Sequence, residues 1–221
     1  MTGGYITKEL DKIKKEILSL GTTVEDRFKN AVYAVKTNNT ELAQSIIDTD
    51  HEIDQREIEI EEECLKVLAL YQPVAIDLRL IVAIIKINND LERIADLAKS
   101  ISRRLKSAVK SPNSNFEYDY THMAEKVGKM LKLSLDAIVG MDVDMAHRVI
   151  AMDTDVNAMR NDAYQYMKKS VDKEHVELDR VINMYLISRH LERIADHTTN
   201  IAEEVVHLVE GEIIRHRNES S

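Results

Sequence analysis

Apolar residues recur at intervals of three and four along almost the whole chain, and each periodic stretch ends in a short polar turn. That is the period of helices that bury one face. The spacing predicts three helices in each half. The first runs from about Thr7, a candidate N-cap, to Thr37. The second begins after Asn38-Asn39-Thr40, with Thr40 as cap and Glu41 behind it, and ends near Leu70. Pro73 lies where a third helix can start, since proline is tolerated in a first turn, and this helix continues to about Lys106. Lys110-Ser111-Pro112-Asn113-Ser114-Asn115 then gives the one strong linker signal. Beyond it the pattern predicts helices from about Tyr120 to Val139, from Asp142 to about Val171, and from about Glu174 to Glu210, the last stopped by Gly211. Short turns between long helices make neighbours antiparallel. The expected fold is all-α, with two tandem antiparallel three-helix bundles over residues 1–109 and 119–221 and a linker over 110–118.

The halves are copies. Leu91-Glu92-Arg93-Ile94-Ala95-Asp96 recurs letter for letter as Leu191-Glu192-Arg193-Ile194-Ala195-Asp196, which marks an internal duplication. In the second helix Leu42-Ala43, Ile46-Ile47, Asp50 and Ile53 match Met145-Ala146, Val149-Ile150, Asp153 and Val156 at an offset of 103. The offset falls to 100 at the hexapeptide, so the second copy lacks three residues around the corner occupied in the first by Tyr71-Gln72-Pro73.

Composition narrows the function. A formal net charge of -9 with no lysine-arginine block argues against a surface that tracks nucleic-acid phosphates. Residues 74–89 are the most apolar run, but Asp77, Arg79 and Lys86 interrupt it and it is shorter than a bilayer span. The single Cys64 cannot close an intramolecular disulfide and is expected to be a packing residue; with no charged-then-apolar leader, a reducing cytoplasmic setting is expected.

The chemistry lies in the acids. Leu42, Ile46, Ile53, Ile60 and Cys64 form one stripe of the second helix, and Asp50, Asp54, Glu57 and Glu61 fall within it or at its edge. Buried carboxylates are costly unless paired, protonated or bound to a cation, and four of one sign cannot pair among themselves. Either the stripe widens to solvent and arginines neutralise it, or the acids hold a cation. In the third helix Glu92 and Asp96 extend the line Leu78, Val82, Ile85, Asn89; in the sixth, Glu192 and Asp196 follow Leu178 and Tyr185, with Asn200 one turn on. An i, i+4 pair is turned by only about 40°, so each pair points one way. Facing helices would then converge an oxygen-rich set suited to Mg, Mn, Ca or non-haem iron. The second copy is poorer, because Asn157 stands for Asp54 and Arg160 for Glu57 although Asp153 matches Asp50. The first is expected to be the better site.

His51, His190 and His197 could serve as accessory ligands or as capping or exposed residues. No Gly-rich phosphate loop, Ser-His-Asp order or Cys-His arrangement is present, and Ala95 and Ala195 stand where the Glu-x-x-His of a di-iron enzyme needs histidine. An enzyme is not expected. The seven methionines of the second half that recur near helical spacing are expected to pack the core, an adaptable partner-binding groove being the alternative.

Three stretches resemble the PhoU family of regulators of bacterial phosphate uptake and signalling. They are Ala69-Leu70-Tyr71-Gln72-Pro73-Val74-Ala75 followed by Asp77-Leu78-Arg79, then Asn89-Asp90 leading into the first hexapeptide, and the second hexapeptide continuing through His197 to Asn200-Ile201-Ala202-Glu203-Glu204. The resemblance implies two similar three-helix bundles and metal clusters, iron or zinc in some members, held by E/D-x-x-x-D motifs. Those motifs correspond to Asp50 with Asp54, Glu92 with Asp96, Asp153 with Asn157, and Glu192 with Asp196. It also implies a dimer at the cytoplasmic face of the membrane that contacts the ATPase of the phosphate-specific ABC transporter and a sensor histidine kinase, restraining the phosphate-starvation response. The alternatives are a metal-free helical scaffold and a di-iron-type metalloenzyme.

Overall fold

The structure, a computed structural model, describes residues 3–110, 116–171 and 177–211, with side chains from Ile6 onward. Seven helical segments occur among them: α1 (Gly3–Thr37), α2 (Thr40–Asp48), α3 (His51–Tyr71), α4 (Ala75–Val109), α5 (Thr121–Gly140), α6 (Val143–Val171) and α7 (Leu178–Glu210). No strand is present among the described residues. The segments α2 and α3 take the place of the single second helix expected from the sequence, so the duplicated plan of three helices followed by three holds. The expected linker residues 111–115 lie outside the described residues, as does the expected start of the sixth helix near Glu174.

Two expected caps move. Thr7 lies inside α1, and the cap of α2 is Asn39, whose side-chain oxygen accepts from the backbone N–H of Leu42 at 2.9 Å. Both Pro73 and Val74 precede α4, which begins at Ala75 and runs three residues past the expected end. The reversal between α3 and α4 places Gln72 and Ala75 at positive φ of 45° and 50°.

The interruption between α2 and α3 has a local cause. Arg27 of α1 donates through Nη2 to the Thr49 carbonyl at 2.9 Å and to its hydroxyl at 3.1 Å. The Thr49 carbonyl also takes the N–H of Glu52, three residues on, while Ile53 and Asp54 both donate to the Asp50 carbonyl. A side chain from α1 thus competes for the carbonyl that a continuous helix would pair four residues on, and the turn tightens.

The helices α4 and α7 form the central pair. Their cross-links step in opposite directions, from Lys86 with Glu204 through Asp90 with His197 to Arg104 with Asn183, so they run antiparallel. Arg180 of α7 continues the series by donating to the carbonyls of Ala108 at 3.1 Å and Phe116 at 2.9 Å. The first helices of the two repeats also meet antiparallel. A Cβ on Gly21 of α1 would lie 2.6 Å from a Leu135 methyl of α5, and one on Gly128 of α5 would lie 3.2 Å from the Phe28 ring of α1. Each glycine admits the bulky side chain opposite. One hydrophobic core, with Phe28, Ile53, Ile94, Met130, Val156 and Ile194 among its members, is continuous across both repeats. Cys64 is fully buried, and burial pushes its thiol up to about 12, as expected of a packing residue. Met123, Met130 and Met167 are buried and Met145, Met152 and Met159 partly so, whereas Met141 is exposed. No helix among the described residues is long and apolar enough to cross a membrane.

Candidate metal centre

The break before α3 positions Asp50. It is 4% exposed, and two cations of the protein reach it: Arg27 Nη1 at 3.1 Å from Oδ1 and the Lys99 ammonium on Oδ2. Lys99 also donates to Asp96 Oδ1 at 2.8 Å, so one ammonium bridges the acid of the α2/α3 break to the acid of α4. Arg93 Nη1 lies 3.6 Å from the other Asp96 oxygen and its Nε 3.3 Å from Glu92 Oε2.

Of the neighbouring acids, Asp54 and Glu57 have no ion pair among the described residues, and Glu92 has Arg93 beside it. Burial first, then the Asp50 charge, raises Asp54, and burial followed by Glu61 raises Glu57. Glu92 is pushed up to about 6 by burial, with Asp96, Asp54 and Glu57 adding to it and Arg93 opposing. Its Oε2 is buried without a hydrogen-bond partner. The backbone here is pinned by the fully buried Asn88 of α4, which donates to the Glu57 carbonyl at 2.8 Å. Glu61 is exposed, as are Leu78, Val82 and Asn89, so the line leading to Glu92 is largely solvated.

In the second repeat the neutralised acid is a different one. Glu192, buried on α7, has Arg160 Nε of α6 at 3.3 Å and Arg189 Nη1 at 3.0 Å. Asn157 donates to Asp153 Oδ2 at 2.8 Å, while Asp153 Oδ1 is buried without a partner. Burial raises Asp153, and burial followed by the Asp153 and Glu192 charges pushes Asp196 up to about 6. The hydroxyl of Thr199, which stands where Lys99 stands in the first repeat, is also buried without a partner.

The histidines divide. His51 Nδ1 lies 3.0 Å from the Asp48 carbonyl, which makes it a local cap. His197 Nδ1 pairs with Asp90 Oδ1 at 2.8 Å, and Asn200 donates to the same oxygen at 3.1 Å. His190 occupies the position of Asp90 in the second repeat; both its ring nitrogens are buried without partners, and burial, with Arg104, Arg193 and Arg189 around it, lowers it to about 4.

The structure thus places Asp50, Asp54, Glu92 and Asp96 in one cluster and Asp153, Asn157, Glu192 and Asp196 in the other. The donors fit a hard cation chemically: they are oxygens, neighbouring acids add to the upward shifts of Asp54, Glu92, Asp153 and Asp196, and Asp153 Oδ1 is buried without a partner. The carboxylates stand apart in this conformation, since among the described residues no three acid, histidine or cysteine side chains converge as a ligand set. Arg27 and Lys99 were not among the residues expected at the site. Their signal was available: Arg27 lies on the buried stripe Leu20, Val24, Ala31, and Lys99 follows Asp96 by three.

Comparison with known proteins agrees with the fold and the repeat. The PhoU domain profile matches residues 17–105 and again 120–205. A phosphate-specific transport system accessory protein PhoU homolog of Pseudomonas aeruginosa is 37% identical over 209 residues, covering 94% of this chain and 86% of the relative. The corresponding homolog of Aquifex aeolicus is 34% identical and covers 96% of each. The crystal structure of PhoU from Pseudomonas aeruginosa superimposes with a TM-score of 0.89 at 36% identity, covering 93% of this chain and 99% of that one. The phosphate transport system regulatory protein PhoU from Streptococcus pneumoniae gives 0.84 at 28% identity, over 95% and 99%.

Proposed function

The chain belongs to the PhoU domain family, and from that premise we propose that it is the accessory protein of a phosphate-specific transport system, a negative regulator of phosphate uptake and starvation signalling. The carrying observation is the match of both repeats to one domain profile, together with relatives named as accessory proteins of such systems over nearly the full chain. In this reading the protein works without catalysis, as a dimer at the inner face of the membrane, by contacting the transporter ATPase and a sensor histidine kinase. Exposed apolar side chains at the corner between α3 and α4, Leu70, Val74 and Ile76, offer such a contact a surface.

Cation binding forms part of the proposal. The candidate ligands are Asp50, Asp54, Glu92 and Asp96 in the first repeat and Asp153, Asn157, Glu192 and Asp196 in the second. A bound iron, zinc or other divalent ion would supply positive charge where these carboxylates repel one another. The chain's own residues set the terms: Asp153 presents an unpartnered oxygen, while Lys99, Arg27, Arg93, Arg160 and Arg189 already neutralise part of each cluster. Those ion pairs also favour a second reading, a helical scaffold that needs no metal.

Purifying the tagged chain from its native organism tests the regulatory reading. Recovery of the transporter ATPase and the kinase with it is expected; their absence under crosslinking would overturn the proposed contacts.

A further inference from the structure

The Lys99 ammonium sits between Asp50 of the α2/α3 break and Asp96 of α4, touching both carboxylates. These are the first acid of one motif and the last of the other, so the group that ties the two motifs together in the first repeat is an amine of the chain. Arg27, reaching in from α1, adds a second positive charge to Asp50. With an ammonium and a guanidinium on it, and only 4% exposed, Asp50 has its charge-assisted hydrogen bonds satisfied inside the protein.

The second repeat shows the same place without those cations. Thr199 replaces Lys99, and Met130 stands where Arg27 stands in the first repeat. The consequence is visible in the atoms that lose partners: Asp153 Oδ1, the counterpart acid, and Thr199 Oγ1 are both buried and unbonded. The duplication therefore supplies an internal control for what the lysine does.

We propose that Lys99 acts as a built-in cation that takes Asp50 and Asp96 out of metal binding in the first repeat. This inference rests on the reading that the acid clusters bind divalent cations, and narrows it. In the natural chain Asp54, Glu57 and Glu92 are the acids of this cluster left to meet a cation, with Arg93 3.3 Å from Glu92 Oε2. Asp50 and Asp96 become ligands only when Lys99 is removed.

Equilibrium dialysis of the full chain against Mn2+ and against Zn2+, with thermal melts to verify folding, tests this. Asp96→Asn in the natural chain is expected to leave metal content unchanged within about twofold. Lys99→Thr, which copies the second repeat, is expected to raise affinity by about tenfold or to add bound ion, and Asp96→Asn in that background removes the gain. The reciprocal Thr199→Lys is expected to lower the metal bound by the second repeat. A loss of metal on Asp96→Asn alone, or no gain in a folded Lys99→Thr protein, overturns the inference while leaving metal binding itself intact. Absence of metal from the natural chain with a gain in Lys99→Thr instead contradicts the broader reading and supports this one. Absence from both removes both.

Discussion

Lys86 of α4 donates to both carboxylate oxygens of Glu204 on α7, at 3.1 and 3.0 Å, and joins the two repeats across their central helix pair. Glu204 is 2% exposed, whereas the lysine keeps solvent access, with 39% of its side chain exposed. His207 Nδ1 lies 3.9 Å from the same carboxylate. Removing the ammonium leaves a buried charge with weaker support, so Lys86→Met is expected to destabilise the protein by about 2 kcal/mol, read as a fall of roughly 4–8 °C in melting temperature. An unchanged melt would mean that the interface does not depend on this pair.

Glu92 gives a pH dependence whose sign follows from its environment. Burial and then the neighbouring acids hold its folded carboxyl at about 6, above its ordinary value, so the folded state binds the extra proton and stability is lost as pH rises through about 6. Glu92→Gln removes that loss. Measured with chelator present, the variant is expected to be more stable than the parent by about 1–2 kcal/mol near pH 8, with the advantage vanishing near pH 4.5. His190, held neutral down to about 4, contributes in the opposite direction, losing stability as pH falls below the ordinary histidine range. It is common to both proteins and cancels in the comparison. Equal pH profiles for parent and variant would contradict the repulsion ascribed to the first cluster.

The contact between α1 and α5 is set by small residues. An alanine at position 21 would place its Cβ 2.6 Å from a Leu135 methyl. Alanine is the better helix former by roughly 1 kcal/mol, and overpacking costs about 1–3 kcal/mol. The atom met is the far end of the Leu135 side chain, which has to shift within a packed core. Gly21→Ala is therefore expected to be destabilising by about 1 kcal/mol, reversing the sign of an ordinary helical Gly→Ala change. Denaturant unfolding measures it, and a stabilised variant would show that the helices can separate at no cost.

Much of this architecture is legible in the chain. Six helical stretches follow from apolar period and turn residues, and the repeated hexapeptide gives the duplication and the helices that carry the acids. The break at Thr49 and Asp50 is not legible, because its cause is Arg27, more than twenty residues away in sequence and brought there by tertiary packing. The same residue and Lys99 alter the candidate site. Spacing places Asp50, Asp54, Glu92 and Asp96 on facing helices, but which acids are already neutralised depends on which basic side chains fold inward. Leu78 and Val82, on the line that leads to Glu92, are exposed.

The regulatory reading is tested most directly in a strain of the native organism lacking this chain. Transcripts of the phosphate-starvation genes are measured in medium replete with phosphate. The account predicts that they rise well above the basal level and return to it when the full chain is restored. Starvation genes that stay repressed in the deletion strain at high phosphate would contradict it.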